Sequence, residues 1–356
     1  MKKILIIGCD GYLGSQLIEY LTDSGYACSG IDIGFFRYGV LRHPKSDLDV
    51  RSGDSRNIDE SHIKGFDVVI QLAALSNDPV TGLAPNHMYD LTRLYTKKIA
   101  QICKKLGVRF IFPSSCSVYG QADEIVNEAS NVNPLTLYSK NKIEIEQDLA
   151  DMSGGDFSPI ALRFSTVYGF SPRLRFDLVI NMLCGMAITS NKLLLNSNGA
   201  AWRPHIHIDD VCQAFARCVD WNYSAPELMT LNVGRNDNNK TIIDLAKYLC
   251  EKLPSCELNF LEGGEIKTSD ELVKDRKIHA GIDMRTYKVD FSKIEKTLPN
   301  FKIIYSVYEG IDDLLIKLSE VDLDIVKFKQ KDLYRLQYLE HLVLTKQLDS
   351  DLNFKR

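Results

Sequence analysis

The chain has 356 residues, 45% of them hydrophobic and 25% charged, and its formal net charge at pH 7 is −4. This composition is typical of a globular protein with room for one large domain or two moderate ones. The acidic balance argues against nucleic acid as a partner, because such a surface needs a broad stripe of lysine and arginine.

Other features of the sequence bear on the cellular compartment. Two lysines precede an apolar run that is too short for a signal peptide, and no run approaches the ~20 apolar residues of a membrane span. The nine cysteines form no Cys-x-x-Cys pair, and most lie among apolar neighbours, as reduced core thiols do. We therefore expect a cytoplasmic protein that has no membrane partner.

The first predicted strand and the first predicted helix flank three glycines. Residues 4–7 have the length and β-branched content of a buried parallel strand, and helical spacing follows at Leu13, Leu17, Ile18 and Leu21. Gly8, Gly11 and Gly14 lie at the turn, where positive φ, close approach of a diphosphate and close helix packing all exclude a Cβ. The helix N-terminus adds free N–H groups and a partial positive charge for phosphate.

A second predicted strand over residues 26–31 ends at Asp32. A carboxylate in this place accepts both hydroxyls of a ribose and repels a 2′-phosphate, which favours NAD over NADP as the cofactor. The nearby Arg37 leaves NADP open as an alternative. Strand, glycine turn, helix, second strand and acid occur in the order that a dinucleotide site requires.

The alternation of strands and helices continues along the chain. We predict strands over residues 67–74, 108–112 and 159–164, and helices over residues 87–106 and 137–149. Helices of this length between strands imply right-handed crossovers and a parallel sheet. The predicted fold class is α/β: a Rossmann doubly wound parallel sheet with a smaller C-terminal substrate-binding lobe.

The pattern loosens after Phe164, and the predicted domains follow from that change. We assign residues 1–166 to an NAD-binding Rossmann domain, with a return segment near residues 205–235 where a strand enters an acid-capped helix. The second lobe then comprises residues 167–204 and 236–320. Residues 321–356 form an amphipathic helical tail, with an apolar stripe at Leu336, Leu339 and Val343.

A tyrosine and a lysine one helical turn apart can do proton-transfer chemistry. The lysine charge favours the phenolate and lowers the tyrosine pKa from about 10. Tyr138 and Lys142 begin the helix after the strand that runs into Ser115, and ligands gather where parallel strands end. Tyr248 and Lys252 have the same spacing, but no such strand precedes them, so we predict a solvated helix face there.

A hydroxyl at the end of that strand can donate to the substrate oxygen and hold it near the phenolate. Ser115 is the natural candidate, although Ser114 and Ser117 fit on spacing alone. Cys116 lacks any motif for a partner base, so thiol chemistry is not predicted. His205 and His207 alternate on a predicted strand, but no further ligand cluster completes a metal site, and we expect structural histidines and no metal.

These motifs together resemble an extended short-chain dehydrogenase/reductase over about residues 1–320. They are the three glycines, Asp32, Gly53 and Asp54, Leu72 to Ala74, Ser114 to Gly120, and the Tyr138 and Lys142 pair. Within that family the chain is most similar to nucleotide-sugar epimerases of the UDP-glucose 4-epimerase type. The resemblance implies a homodimer that associates through helices of the first lobe.

The resemblance also implies residue roles. It selects Ser115 as the catalytic hydroxyl beside Tyr138 and Lys142, and it places Asp54 at the adenine. The predicted cofactor-binding residues are Gly8, Gly11, Tyr12, Leu13, Gly14, Asp32, Asp54, Leu72, Ala73, Ala74, Tyr138 and Lys142. The family's 4,6-dehydratases carry an Asp-Glu pair after the catalytic hydroxyl, where this chain has Cys116 and Ser117, so 4,6-dehydration is disfavoured.

A nucleotide-diphosphate sugar calls for arginines, whose forked donors match phosphate oxygens. Arg173, Arg175, Arg203 and Arg285 are the candidates, and the last two resemble the family's phosphate-binding arginines by position. Thr166 stands where the family often has an asparagine, and its hydroxyl donates only one hydrogen bond. The predicted substrate-binding residues are Thr166, Arg175, Arg203 and Arg285.

We predict an NAD-dependent nucleotide-sugar epimerase for carbohydrate biosynthesis, which inverts one carbon centre, C4, through a transient 4-keto sugar with Tyr138 as base. An alternative is a one-way NAD(P)-dependent 4-dehydrogenase or 4-ketoreductase of a nucleotide-activated hexose or heptose, which would use the same residues. A non-catalytic NAD-binding regulator would keep the glycines and Asp32, but it would have no need of the serine, tyrosine and lysine together.

Overall fold

The computed structural model describes residues 1–75, 85–262, 265–266, 285–349 and 351–355. The strands are β1 (Lys3–Ile7), β2 (Ala27–Asp32), β3 (Asp49–Ser52), β4 (Val68–Gln71), β5 (Arg109–Ser115), β6 (Gln121–Val126), β7 (Ile160–Phe164), β8 (Thr166–Tyr168), β9 (Lys192–Leu195), β10 (Trp202–His207), β11 (Met229–Val233), β12 (Asn239–Thr241), β13 (Glu257–Glu262), β14 (Glu265–Ile266) and β15 (Thr286–Val289). The helices are α1 (Tyr12–Asp23), α2 (Glu60–Ile63), α3 (Pro85–Leu106), α4 (Leu137–Met152), α5 (Val179–Ser190), α6 (Ile208–Asp220), α7 (Ile242–Lys252), α8 (Ser292–Thr297), α9 (Val307–Glu320), α10 (Ile325–Phe328) and α11 (Arg335–Leu344).

Seven strands form a central sheet in the order β11-β7-β5-β4-β1-β2-β3, and every neighbouring pair is parallel. The chain moves outward from β1 to β3 and then returns to β4 on the other side of β1. Ligands of such sheets bind in the crevice where the strand order reverses, beyond the carboxyl ends of the strands. The predicted Rossmann fold class is confirmed.

Apolar side chains of the sheet alternate between its two faces and meet helices on both. Ile4 and Ile6 join one buried cluster with α1 and α6, whereas Leu5 and Ile7 join another with α3 and α4. This alternation has the period of two that a strand imposes, and it explains why the β1 segment is apolar at four successive positions.

The predicted strand over residues 67–74 is shorter in the structure, where β4 ends at Gln71. The backbone N–H groups of Leu72 and Ala73 both donate to the carbonyl oxygen of Ile7, at 2.8 and 2.9 Å. Residues 72–74 therefore leave the ladder and form a loop against the end of β1, although their apolar side chains continue the sequence pattern of the strand.

Smaller sheets and helices pack on the carboxyl side of the central sheet. The strand sets β12-β10-β8, β14-β13-β9 and β15-β6 each form a small sheet. A separate apolar cluster unites α5, α7 and α9. β8 follows β7 after one residue, so the chain passes directly from the central sheet into this region.

Residues 321–355, which we call the C-terminal tail, contain α10 and α11 and end in an isolated bridge between Leu348 and Phe354. Tail side chains share a buried cluster with Leu75 and pack against Phe35 and Phe36, which follow β2. The described helices include no segment with the length and apolar character needed to cross a lipid bilayer.

Candidate active site

A cavity of about 550 Å³ opens at the carboxyl edge of the central sheet, beside the crevice between β1 and β4. A smaller cavity of about 120 Å³ adjoins it on the side of β2. The two share part of their walls, at Gly8, Gly11, Phe36, Leu72 and Ala74. Together they form an elongated cleft of the kind that holds an extended ligand.

Every residue that the sequence predicts for the site lines one of these two cavities. The larger cavity is lined by the predicted residues Gly8, Gly11, Tyr12, Leu13, Gly14, Leu72, Ala74, Ser115, Tyr138, Lys142, Thr166, Arg175, Arg203 and Arg285. The smaller one is lined by Asp32, Asp54 and Ala73, besides those that it shares with the larger.

The glycine turn packs so tightly against neighbouring backbone that two of its glycines have no room for a side chain. Gly8 has a φ of +94°, and a Cβ there would lie 2.5 Å from the backbone nitrogen of Ala73. A Cβ on Gly14 would lie 2.1 Å from the carbonyl oxygen of Gly8. Gly11 caps α1 without a side chain, so the first N–H groups of the helix remain for a ligand. The cradle fits a dinucleotide diphosphate.

Asp32 ends β2 at the smaller cavity and accepts two backbone hydrogen bonds. The donors are the N–H of Asp10, at 3.0 Å, and the N–H of Gly34, at 2.7 Å. Burial raises the pKa of Asp32 to about 6; the Gly34 hydrogen bond opposes this shift, and the charge of Asp10 adds to it. Arg37, on which the NADP alternative depends, is paired with Asp10 at 3.1 Å.

Asp54 lies at the far end of the smaller cavity. Its carboxylate forms an ion pair with Arg56 at 2.6 Å and accepts the backbone N–H of the same residue at 2.9 Å. The side chain is thereby fixed in orientation at the place where the resemblance implies the adenine.

Lys142 lies one helical turn after Tyr138 on α4, and both face the larger cavity. Its ammonium donates to the carbonyl oxygen of Pro113 at 2.6 Å and lies 5.5 Å from the centre of the Tyr138 ring. The lysine is 5% exposed. Burial lowers the pKa of Lys142 to about 7, with the charge of Glu146 opposing this shift.

The three candidate serines all line the cavity, but their hydrogen bonds differ. Ser114 donates its hydroxyl to the buried carboxylate of Glu146. Ser115 accepts the backbone N–H of Ser117 at 3.1 Å, and among the described residues its own hydroxyl hydrogen has no acceptor. The hydroxyl of Ser117 is buried and has no partner within the described ranges. Ser115, which is half-buried, therefore has a hydrogen to donate to a ligand.

Beneath these residues is a buried ion pair that the sequence analysis did not identify. Arg163 on β7 and Glu146 on α4 meet at 2.6 Å, and both are almost fully buried. Arg163 also donates to the hydroxyl of Tyr119 at 3.0 Å, and that hydroxyl donates to Asn232 at 2.8 Å. The network ties α4 to β7 and β11 and so fixes the helix that carries Tyr138.

The candidate arginines separate into two groups. Arg175, paired with Asp177 at 2.5 Å, lines the larger cavity, as do Arg203 and Arg285. Arg203 also donates to the carbonyl oxygens of Trp202 and Arg285, which joins the start of β15 to β10. Arg173 lines neither cavity.

Arg173 instead braces the loop after β2. It pairs with Asp10 at 2.9 Å and donates to the carbonyl oxygen of Phe36 at 3.1 Å. The sequence could not exclude it, because both of its partners lie far away along the chain.

Three residues with alternative interpretations in the sequence lie outside both cavities: Tyr248, Lys252 and Cys116. Tyr248 donates to Asp312 at 2.9 Å, and Lys252 pairs with the same carboxylate at 2.7 Å on a partly exposed helix face. Cys116 donates its thiol to the carbonyl oxygen of Arg163, and burial raises its pKa.

The two histidines of β10 are both fully buried. Burial, with the nearby charge of Arg203, lowers the pKa of His205 to about 3, so its ring is neutral at pH 7. His207 lies 3.3 Å from a carboxylate oxygen of Asp313. In the part of the chain that the structure describes, no group of three or more His, Cys, Asp and Glu is placed to hold a metal ion.

Solved structures with the same overall fold include three nucleotide-sugar enzymes. The NAD-dependent NDP-hexosamine 5,6-dehydratase TunA, involved in tunicamycin biosynthesis, matches with a TM-score of 0.75 and 21% identity, over 91% of this chain and 99% of that chain. UDP-glucuronic acid 4-epimerase from Bacillus cereus, solved with UDP-glucuronic acid and NAD, matches with a TM-score of 0.70 and 22% identity, over 90% of this chain and 99% of that chain. UDP-N-acetylglucosamine 4-epimerase from Methanobrevibacter ruminantium M1 matches with a TM-score of 0.72 and 20% identity, over 90% of this chain and 98% of that chain.

The family match covers most of the central sheet and the segments that contain Ser115, Tyr138 and Lys142. Residues 4–234 match the model of the NAD dependent epimerase/dehydratase family. This match confirms the predicted resemblance to NAD-dependent epimerases and dehydratases, and it agrees with the glycine cradle in identifying NAD as the cofactor. The chain belongs to the NAD dependent epimerase/dehydratase family.

Proposed function

We propose that the protein is an NAD-dependent nucleotide-sugar epimerase. The observation that carries this proposal is that Tyr138, Lys142 and Ser115 line one cavity together with Arg203 and Arg285. A proton-transfer group, its charged neighbour and a hydroxyl donor thus share a space with arginines suited to a diphosphate. The similarity of the fold to nucleotide-sugar enzymes gives further support.

Each of these residues has its own role in the proposed reaction. Bound NAD supplies the reversible acceptance of a hydride from a sugar carbon. Tyr138, as a phenolate favoured by the Lys142 ammonium, removes the proton of the hydroxyl on that carbon, while Ser115 donates a hydrogen bond to the same oxygen. A keto sugar results, and Tyr138 returns the proton when the carbon is reduced again on its other face. No net oxidation occurs.

Arg203 and Arg285 hold the diphosphate during this exchange, with Thr166 and Arg175 as further substrate contacts. Before it is reduced again, the keto sugar can rotate about the anchored diphosphate, so that return of the hydride to its other face inverts one centre, C4 in our proposal. At the other end, we propose that Asp32 binds the adenine-side ribose, Asp54 contacts the adenine, and Gly8, Gly11, Tyr12, Leu13 and Gly14 bind the diphosphate of NAD, with Leu72, Ala73 and Ala74 lining its path.

The test of the function is a screen of nucleotide sugars by proton NMR, with purified protein and no added cofactor. UDP-glucose, UDP-glucuronic acid and UDP-N-acetylglucosamine are the first probes, because related folds act on or bind such molecules. We expect inversion of one sugar centre. Accumulation of a ketone, or a strict need for an external reductant, would instead support the one-way dehydrogenase or ketoreductase, and an unchanged spectrum with every probe would support a non-catalytic protein.

Substitution of the three serines separates their roles. Ser115→Ala is expected to lower the turnover number by about a hundredfold, because the donor to the reacting oxygen is lost. Ser117→Ala is expected to change turnover little, whereas Ser114→Ala removes a partner of buried Glu146 and should lower the unfolding temperature. Steady-state kinetics and thermal unfolding of the three variants check this order, and near-normal turnover in Ser115→Ala would exclude that serine.

The affinity for NAD is expected to rise with pH between about pH 5 and about pH 8. Asp32 has a pKa of about 6 in the ligand-free site, and its protonated form has lost the charge that accepts ribose hydroxyls. Calorimetric titration of NAD at several pH values tests this. Asp32→Asn should bind NAD weakly at every pH, and a pH-independent wild-type affinity would contradict the role of Asp32.

We also propose a cytoplasmic homodimer that associates through α3 and α4. The two helices pack together on one face of the central sheet, and Leu94 on α3 is 62% exposed, which leaves an apolar side chain for a second copy. Light scattering is expected to give twice the mass of one chain, and Leu94→Glu should shift that mass toward the monomer. All nine cysteines are free, which agrees with a reducing compartment.

A further inference from the structure

The C-terminal tail contributes to the walls of both cavities. Its residue Leu352 lines the smaller cavity, and Arg335, the first residue of α11, lines the larger one. The tail is held there by its apolar cluster with Leu75 and by a hydrogen bond from Arg56 to the carbonyl oxygen of Asp351 at 3.0 Å. The family match stops at residue 234, so it does not account for this part of the site.

Arg335 is a buried cation with an incomplete set of partners. It is 4% exposed, and its guanidinium lies 4.1 Å from the centre of the Phe36 ring. Nη2 donates to the carbonyl oxygen of Arg173 at 3.0 Å, but Nη1 is buried and has no hydrogen-bond partner among the described residues. A buried guanidinium in this condition is unfavourable unless an anion completes it.

Among the described residues, the acids near Arg335 have other hydrogen-bond or ion-pair partners. Asp10 is paired with Arg173, and Asp177 is paired with Arg175, while the backbone N–H of Arg335 takes a further bond to Asp177. Burial and the charges of Arg175 and Arg173 lower the pKa of Arg335 to about 9, and the charges of Asp177 and Asp32 oppose this shift. The side chain is therefore still charged at neutral pH, in a cavity wall whose described residues include more cationic than anionic side chains.

The position of Phe36 indicates which part of a ligand would meet this charge. Phe36 lies where the two cavities join, together with Gly8 and Gly11 of the diphosphate cradle. Asp32 is on one side of this junction, and Tyr138 is on the other. A dinucleotide that reaches from Asp32 to Tyr138 has its diphosphate at the junction, beside the ring on which Arg335 packs.

We propose that Arg335 binds the diphosphate of NAD, so that the C-terminal tail forms part of the cofactor-binding site. This inference rests on the proposed placement of NAD in the cleft and deepens it. The planar fork of arginine matches two phosphate oxygens, and Leu352 closes the adenosine side. Because the tail forms part of the walls of both cavities, we expect it to slow the release of NAD, which suits an enzyme that reuses one bound NAD.

The test compares ligand binding by the full chain, freed of NAD, in wild-type protein and in variants. Calorimetry with Arg335→Met is expected to show affinity for NAD and for ADP-ribose lowered by about tenfold to a hundredfold, with adenosine and UDP bound as by wild type. Bound NAD should also be lost faster on desalting. Arg335→Lys should recover part of the affinity, because it keeps the charge without the fork.

The matched control is Lys329→Met, which removes an exposed cation from the same tail and should leave all four affinities unchanged. The unfolding temperature of NAD-free Arg335→Met should stay close to that of wild type; if that variant does not fold, Arg335→Lys carries the comparison. Undiminished NAD affinity in the variant that carries the comparison, or an equal loss for adenosine, would overturn the proposal. A loss confined to UDP would assign Arg335 to the substrate diphosphate and also overturn it.

This experiment separates the inference from the proposed function, since binding is measured without turnover. A wild-type protein that binds NAD but epimerises no nucleotide sugar would refute the proposed epimerase activity. The role of Arg335 would then still be tested by the NAD affinities of the variants. A protein that epimerises with undiminished NAD affinity in Arg335→Met would refute only the role of Arg335.

Discussion

Tyr138→Phe is expected to lower the epimerisation rate by at least about a hundredfold while NAD stays bound. The substitution deletes only the phenolic oxygen, which in the proposed mechanism exchanges a proton with the sugar hydroxyl. The ring, which lies 5.5 Å from the Lys142 ammonium, keeps its packing, so the cofactor site should persist. Turnover is measured by NMR on the active nucleotide sugar, and bound NAD by its absorbance after release.

The chain offers a matched control for this experiment in Tyr248→Phe. Tyr248 and Lys252 repeat the spacing of Tyr138 and Lys142, but they bond to Asp312 on a partly exposed face outside both cavities. This variant should turn over at the wild-type rate. Full activity in Tyr138→Phe, or equal losses in the two variants, would remove Tyr138 from the mechanism.

Gly14→Ala is expected to destabilise the ligand-free protein by about 1–3 kcal/mol and to abolish NAD binding. The added methyl group would lie 2.1 Å from the carbonyl oxygen of Gly8 and 2.7 Å from the Cα of Cys9. Both contacts are with backbone, so no side chain can move aside, and the turn between β1 and α1 has to open. Denaturant unfolding and NAD titration measure the two effects.

A second glycine of the same turn separates stability from binding. Gly11 has an ordinary φ of −83°, and a Cβ there would have only an ordinary contact of 3.4 Å. Gly11→Ala should therefore fold as stably as wild type, yet it should bind NAD less tightly, because its methyl group faces the diphosphate. If Gly14→Ala were as stable as Gly11→Ala, the close packing of helix on strand would not be what requires glycine at position 14.

The parts of the site that could be predicted from the sequence are those encoded locally. The glycine turn, Asp32 and the pair Tyr138 and Lys142 each depend on a few residues within one strand, turn or helix. Their meeting in one cleft follows from parallel topology, because the carboxyl ends of neighbouring parallel strands lie at the same edge of a sheet. The sequence does not give the atomic positions at that edge, but its order of strands and helices implies that these residues meet there.

The parts that could not be predicted depend on partners that are distant along the chain. Glu146 meets Arg163 only because α4 packs against β7, and nothing in either local segment indicates the other. Arg335 lies in an amphipathic tail whose pattern predicts a helix but not the surface that it covers. The choice of Ser115 over Ser114 needed the resemblance, and the bond from Ser114 to Glu146 now gives a physical reason for it.

The buried pair of Glu146 and Arg163 has a consequence for how the enzyme can fail. Glu146 is one helical turn beyond Lys142, and its negative charge favours the protonated form of that lysine. The Arg163 guanidinium, 2.6 Å from the Glu146 carboxylate, partly neutralises that charge and so limits its effect on Lys142. Replacement of Arg163 would leave the Glu146 carboxylate buried without its counter-ion, so α4, and with it Tyr138 and Lys142, is expected to lose its fixed position.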